Sequence, residues 1–328
     1  MASIYARIHR NIQRSGSLPA NFATAPHYWK EQSEHEGQTD GEAIYLGVGT
    51  EPDIAPLTAA VKLASDGAFE EAYDGLLAFF EENRMLLCVD DFNQWLADNA
   101  ESLNAKDIYE FVRRIVFETA DKECMKLALT VLEMISCEDD KKLRDAVLEI
   151  GLADEFTLFV GFIVSGWAEG NKEIFRLAQH TKGWGRIQMV DMLEPETPRM
   201  KEWLLFYGAA NTVDPSYSAY TVAQKVSLDR VLTAKKLSQR ELDACGFLLE
   251  AMCVPVNSPL AGLESFEEAA EEMIEAFFKK AEGRKKLNKQ MCATLWALSN
   301  WDGTEAEERE RIVELLKRAT REAGKHHV

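Results

Sequence analysis

Residues 107–136 read DIYEFVRRIVFETADKECMKLALTVLEMIS, and this stretch decides the fold class. Its apolar side chains recur every three or four residues, at positions 108, 111, 112, 115 and 116 and then at 124, 127, 128, 131, 132 and 135. In a helix with 3.6 residues per turn, this spacing places the side chains on one face. The stretch therefore predicts two amphipathic helices joined by a short turn.

The same helical period extends outward from this pair, from Ile54 almost to the end of the chain. Start signals agree with it, since Ser238 with Glu241 matches a capping box and Thr197 precedes a proline that suits a first helical turn. Gly151 stands where a helix is expected to stop. The pattern favours an all-α fold.

The first 55 residues follow a different pattern. Residues 1–14 predict a short helix, because Ile4, Ile8 and Ile12 share a face. Residues 15–55 predict irregular structure, with one short strand at 43–48. We expect this part to differ from the helical remainder of the chain.

From about residue 105 to 255 the predicted helices are short and follow one another as hairpins. No single hairpin buries both faces, so neighbours must stack. This rhythm resembles HEAT-like and armadillo-like repeat proteins, and the resemblance implies an α-solenoid; a globular helical bundle is the alternative. We expect an N-terminal helix and irregular segment (1–55), a helical-repeat region (56–260) and C-terminal helices packed on the same array (261–328).

Composition excludes several classes of protein. With 328 residues, 46% of them hydrophobic, the chain is long enough to bury a sizeable core. A formal net charge of −18 disfavours binding to nucleic acid or to anionic lipid, because both surfaces repel acidic proteins. The longest apolar run, 156–167, is about half the ~20 residues that a membrane span needs. We therefore predict no nucleic-acid or membrane partner.

Cysteine usage indicates a reducing compartment. None of the six cysteines forms a CxxC pair, and no secretory signal precedes them. Small buried thiols are typical of intracellular proteins. We predict a cytoplasmic protein without disulfides.

The most unusual segment, 180–220, reads HTKGWGRIQMVDMLEPETPRMKEWLLFYGAANTVDPSYSAY. It resembles uncharacterised bacterial repeat proteins that carry a GWGRI…LEP.T pattern, a family that implies no activity. Aromatic, arginine and amide side chains suit recognition of another protein along a helical array. The predicted partner-binding residues are Trp184, Arg186, Arg199, Asn211, Tyr217 and Tyr220.

Each of these residues also has a structural interpretation. The glycines of this segment turn the chain, and Arg186 satisfies carbonyl groups at a helix end. Trp203 keeps step with Met200, Leu204 and Tyr207, which predicts a buried stripe. Both interpretations stay open at the level of sequence.

Three further motifs predict no cofactor and no metal site. The LGVGT stretch at 46–50 lacks the third glycine and the following βαβ unit of a dinucleotide site. The segment 27–42 is rich in His, Asp and Glu, but it lacks a spacing that fixes a tetrahedral metal site. The lysines and arginines of 279–289 follow an acidic run and predict a solvated helix pair. No pairing of a nucleophile with a base emerges from the sequence.

These observations predict a non-catalytic helical-repeat protein that binds another protein or a peptide. One alternative is an enzyme with a pocket between helices, resembling the HEAT-like alkylpurine DNA glycosylases, which acidity disfavours because such a groove is positive. The other is an acidic inhibitor or immunity-type protein that covers a basic partner.

Overall fold

The computed structural model describes residues 2–24, 35–255, 258–284 and 286–324. Over these residues the regular structure is entirely helical and no strand occurs, which confirms the all-α prediction. The chain divides into two compact units, Met1–Leu193 and Glu194–Val328. The division falls at 193/194, whereas the sequence suggested boundaries after residues 55 and 260.

The first unit contains α1 to α11 and two short 3-10 turns. The helices are α1 (Ile4–Asn11), α2 (Gln38–Leu46), α3 (Ala55–Ser65), α4 (Phe69–Phe80), α5 (Val89–Asn99), α6 (Ala105–Glu118), α7 (Lys122–Met134), α8 (Lys141–Ile150), α9 (Thr157–Ser165), α10 (Gly170–His180) and α11 (Trp184–Met192). Packing runs mainly between helices that are close in sequence, as in the pairs α3–α4, α6–α7 and α10–α11.

Helix α7 is the central helix of the first unit. It packs against α6 and α9, and every residue from 123 to 132 is buried. It begins where the Asp121 carboxylate accepts a hydrogen bond from the backbone N–H of Cys124 at 2.8 Å. A helix buried on all sides must place its polar side chains inside the protein, and α7 does so with Glu123 and Lys126.

The second unit contains α12 to α18. The helices are α12 (Pro198–Trp203), α13 (Ser216–Val226), α14 (Leu228–Thr233), α15 (Gln239–Ala251), α16 (Glu268–Glu282), α17 (Lys289–Asn300) and α18 (Ala306–Gly324). Helix α15 packs against α13 and α17, and α17 packs against α18. The capping box predicted at Ser238 and Glu241 is present at the start of α15.

The N-terminal segment differs from the prediction in one place. The short helix predicted for residues 1–14 is confirmed by α1, which Ser3 caps. The strand predicted at 43–48 is wrong, because residues 38–46 form α2 and the chain leaves that helix through Gly47 at φ +65°. Contacts of Asp40 and Gly41 with the rest of the first unit hold this helix in place. Such contacts between distant residues cannot be predicted from the alternation of side chains along the sequence.

No helix among the described residues combines the length and the apolar character that crossing a membrane requires.

Candidate functional site

The segment 180–220 spans the division between the two units. Trp184 and Arg186 lie on α11 in the first unit. The other predicted partner-binding residues, Arg199, Asn211, Tyr217 and Tyr220, follow residue 193 and belong to the second unit.

Trp184 is a core residue of the first unit, with 1% of its surface exposed. Its indole ring lies over Gly41 of α2, where a Cβ atom would overlap the ring, and 5.8 Å from the ring of Tyr45. The Tyr45 hydroxyl in turn donates a hydrogen bond to Asp191. This burial corrects the prediction that Trp184 binds a partner. The indole packs against α2 and is not accessible at the surface.

The glycines on either side of Trp184 hold the start of α11. The Asp154 carboxylate accepts hydrogen bonds from the backbone N–H of Gly183 at 3.3 Å and of Gly185 at 2.9 Å. Burial raises the pKa of Asp154, and the negative charge of Glu36 raises it further. The hydrogen bonds from the two glycine amides lower the pKa, and the result is a value of about 6. This carboxylate takes the place of a side-chain cap at a helix start that lacks one.

Arg186 has the structural role that the sequence left open. Its guanidinium donates to the carbonyl oxygens of Ala178 at 3.1 Å and Gln179 at 3.4 Å, near the end of α10. The side chain is half-buried, and it joins α10 to α11. Arg186, which was predicted to bind a partner, thus makes its hydrogen bonds within the fold.

A cluster of buried charges lies beneath α2. The Lys126 ammonium group, 1% exposed, is 2.7 Å from a carboxylate oxygen of Asp40, 2.9 Å from Glu123 and 2.8 Å from Glu155. Lys122 adds a second ammonium group 3.0 Å from Glu155. We call these five residues the Lys126 cluster.

Backbone amides complete the Lys126 cluster. Glu155 accepts a hydrogen bond from the N–H of Gly37 at 3.1 Å, just before α2, and Glu123 accepts one from Met85 at 2.8 Å. The carboxylates therefore join three separate parts of the chain to α7. Sequence reasoning missed this cluster, because Glu123 and Lys126 lie off the apolar stripe of α7, where charged side chains are expected to face solvent.

The protonation state of Lys126 does not suit a catalytic base or nucleophile. Burial opposes the charge on Lys126, but three carboxylates outweigh it and hold its pKa well above the usual value. Burial also raises the pKa of Glu155, yet Lys126 and Lys122 lower it to about 2. A lysine that acts as a base or nucleophile needs a lowered pKa. Lys126 is instead a permanently charged tie between elements.

The predicted residues of the second unit serve the local structure there. The Asn211 amide donates to the carbonyl oxygens of Ala209 and Asp214 and to the Ser218 hydroxyl, and its own oxygen accepts from the N–H of Val213. It braces the loop before α13.

Aromatic packing accounts for part of the remaining set. The Tyr220 ring packs 4.9 Å from that of Phe266, and its hydroxyl accepts from Gln224 at 2.8 Å. Tyr217 is half-buried and Arg199 is exposed. None of the residues Arg199, Asn211, Tyr217 and Tyr220 lines the cleft beside Leu205 and Phe206.

A cleft of about 480 Å³ in the second unit contains part of the predicted segment. We call it the Phe206 cleft. Its apolar lining is Leu205, Phe206, Val226 and Val231, and its polar lining is Lys201, Glu202, Ser238, Arg240 and Glu241. Two of the apolar residues lie on the π-helical turn Leu204–Gly208, which continues α12.

The π-helical turn changes which side chains face solvent. Met200 and Leu204 are buried as predicted, but Trp203 is only half-buried and Tyr207 is 47% exposed. A π-helical turn contains more residues than an α-helical one, so a stripe spaced at 3.6 residues loses register there. The prediction of one buried stripe is therefore wrong at Tyr207.

Arg240 is the charged side chain that organises the cleft. Its guanidinium carbon lies 3.9 Å from the centre of the Phe206 ring, and it donates a hydrogen bond to the Tyr207 hydroxyl at 2.9 Å. None of the ion pairs among the described residues includes Arg240 or Lys201. Sequence reasoning did not single out Arg240, because it lies at the start of α15, outside the 180–220 segment.

Within the described ranges, no group of three or more His, Cys, Asp and Glu side chains is arranged to hold a metal ion. Of the acidic 27–42 segment, residues 27–34 lie outside the described part of the chain.

In comparisons with known proteins, no family model, no curated protein and no solved structure matches this chain.

Proposed function

We propose that this chain is a non-catalytic helical-repeat protein of the cytoplasm that binds an extended segment of another protein, or a peptide, in the Phe206 cleft. The helical hairpins would stack as in an α-solenoid of the HEAT or armadillo type, with the cleft as the recognition surface.

One observation carries this proposal: apolar side chains and an exposed tyrosine meet at a π-helical turn. Leu205 and Phe206 supply the apolar floor, and Tyr207 stands exposed beside them. Tyrosine and arginine are enriched among the residues that dominate binding energy at protein interfaces. Single π-helical turns occur frequently at functional sites.

The size of the cleft agrees with a peptide ligand. Pockets for small molecules occupy about 300–1,000 Å³, and the Phe206 cleft, at about 480 Å³, has room for a ligand group of that size. Such a volume accepts the side chains of a short peptide segment.

The enzyme alternative has less support. It would depend on the Lys126 cluster, whose side chains are buried and already paired with one another. A substrate would have to displace these pairs to reach a catalytic group. The alternative of an acidic inhibitor rests on the net charge alone.

Site-specific photo-crosslinking tests the proposal. A benzophenone amino acid placed at Tyr207 in living cells should crosslink to a defined protein, and mass spectrometry should locate the crosslink in a short segment of that partner. The same group at Phe162, an exposed position on α9 in the first unit, is the control.

The purified partner should then bind the wild-type protein and lose affinity for Phe206→Ala. The proposal is wrong if Tyr207 and Phe162 give the same crosslinks, or if Phe206→Ala binds as tightly as wild type.

A further inference from the structure

Resting on the proposed function, we infer that the segment bound in the Phe206 cleft carries one aspartate or glutamate, whose carboxylate pairs with Arg240, beside an apolar side chain that enters the cleft.

The geometry of Arg240 is fixed before any partner binds. The Phe206 ring supports one face of the guanidinium, and the Tyr207 hydroxyl accepts one of its five N–H donors. A planar guanidinium held in this way loses little freedom when it binds a carboxylate with two parallel hydrogen bonds. Lysine in the same place would lack both the stacking and the fork of donors.

Arg240 differs from the arginine of a smaller cleft in the first unit. There, the guanidinium carbon of Arg114 lies 5.6 Å from the centre of the Phe69 ring, and Arg114 is 3.3 Å from a carboxylate oxygen of Glu70 and 4.0 Å from one of Glu118. Its charge is already matched by the chain. Arg240 has no such carboxylate among the described residues, although the chain carries 55 acidic and 37 basic residues.

The other charges of the Phe206 cleft set the number of acidic residues in the partner. Lys201 adds a second cation to the lining. Glu241 keeps its negative charge there, with its carboxylate accepting a hydrogen bond from the backbone N–H of Ser238 at 2.7 Å. Glu202 is exposed, and the two glutamates repel further negative charge. This balance favours a single carboxylate over a long acidic run.

A phage-displayed library of short random peptides tests the inference on the full-length protein. Peptides selected on wild type should share one Asp or Glu at a fixed distance from Leu, Ile or Phe. Synthetic versions with amidated C-termini separate a side-chain carboxylate from a terminal one. Exchanging that acid for its amide should weaken binding about 10- to 100-fold, which is the usual effect of a charge-assisted pair.

Substitutions of Arg240 test the same carboxylate pair from the side of the protein. Arg240→Gln should lose the same factor for the acidic peptide and bind the amide peptide as wild type does, whereas Arg240→Lys should recover only part of the loss. Arg318→Gln removes an exposed arginine of α18, outside the cleft lining, and should bind both peptides as wild type does.

The outcomes separate the two proposals. Apolar peptides without a common acid, or equal binding by wild type and Arg240→Gln, would overturn the carboxylate inference and leave the cleft as a peptide site. A selection that enriches no peptide would overturn both.

Discussion

Lys126 shows how a charged residue occupies the interior of this protein. A lysine side chain is rarely fully buried unless it is paired, and three carboxylates surround this one within 2.9 Å. The cost of removing these charges from water is large, so the cluster stabilises the fold only while every member keeps its partners.

Replacing Lys126 by methionine should therefore be strongly destabilising. The substitution keeps most of the length of the side chain but leaves Asp40, Glu123 and Glu155 in the interior with Lys122, 3.0 Å from Glu155, as the one remaining cation of the cluster. We expect a loss of about 3–5 kcal/mol in the free energy of unfolding, measured by urea denaturation.

Lys172→Met is the matched control, because Lys172 pairs with Glu169 on the surface and is 71% exposed. Surface ion pairs contribute little, so this variant should unfold at nearly the same urea concentration as wild type. Equal stability of Lys126→Met and wild type would contradict the role of the cluster.

Asp154 predicts a pH dependence of stability. Its pKa is raised to about 6 in the folded protein by burial, from the usual value of 3.8, so the folded state binds its proton more tightly than the unfolded state does. The contribution of this group is complete below about pH 4 and is lost as the pH rises through 6.

Asp154→Asn cannot titrate, so the stability of wild type relative to this variant should increase as the pH falls from 7 to 4. Urea denaturation at several pH values measures the difference. Asp40, whose pKa is also raised, titrates in both proteins and cancels in the comparison. Glu36 interacts with Asp154, so the change in its own titration is part of the measured difference. A difference that stays constant with pH would show that Asp154 does not titrate in this range.

Among the elements, α2 is attached to the first unit in an unusual way. Only Asp40 and Gly41 of its nine residues are buried, and no large apolar side chain anchors it. Ile44 and Leu46 are exposed instead. The attachment includes the ion pair of Asp40 with Lys126, the contact of Gly41 with Trp184, and Tyr45, whose ring lies 5.8 Å from the indole and whose hydroxyl donates a hydrogen bond to Asp191.

Hydrogen exchange should distinguish α2 from helices of similar length. Local opening requires little free energy where few apolar contacts are broken. We expect the amides of α2 to exchange much faster than those of α8, which is ten residues long and buries Leu143, Ala146, Val147 and Ile150. Mass spectrometry of the two peptic regions makes the comparison, and equal protection would mean that the polar contacts hold α2 as firmly as a packed face.

The elements also show what the sequence can predict. Helices with a continuous apolar face, such as α6 and α8, follow from periodicity, and the start of α15 follows from its capping box. Helix α2 does not, since distant residues hold it in place.

The candidate site was also predictable from the sequence only in part. The 180–220 segment was identified as unusual, and its Phe206 lines the cleft. Arg240 comes from a helix far along the chain, and contact between such distant residues leaves no periodic signal. The burial of Trp184 also depends on α2, which the sequence pattern did not predict.

For the whole molecule, the sequence predicts independence from metal ions and nucleotides. A ligand that binds only the native state raises the midpoint of thermal unfolding. We expect no change in that midpoint when EDTA, zinc or NAD is added to the purified protein. A rise with zinc or NAD, or a fall with EDTA, would direct attention to the 27–50 segment.

The hydrogen bonds of Asp154 with the start of α11 give the stretch Gly183–Arg186 a structural role. Its contacts connect neighbouring elements. The two glycine amides bind Asp154, the indole of Trp184 packs against α2, and Arg186 binds carbonyl groups near the end of α10. We therefore expect a chain with the same stretch to share this junction between helices, and we expect its ligand to be determined by positions outside the stretch, such as Arg240.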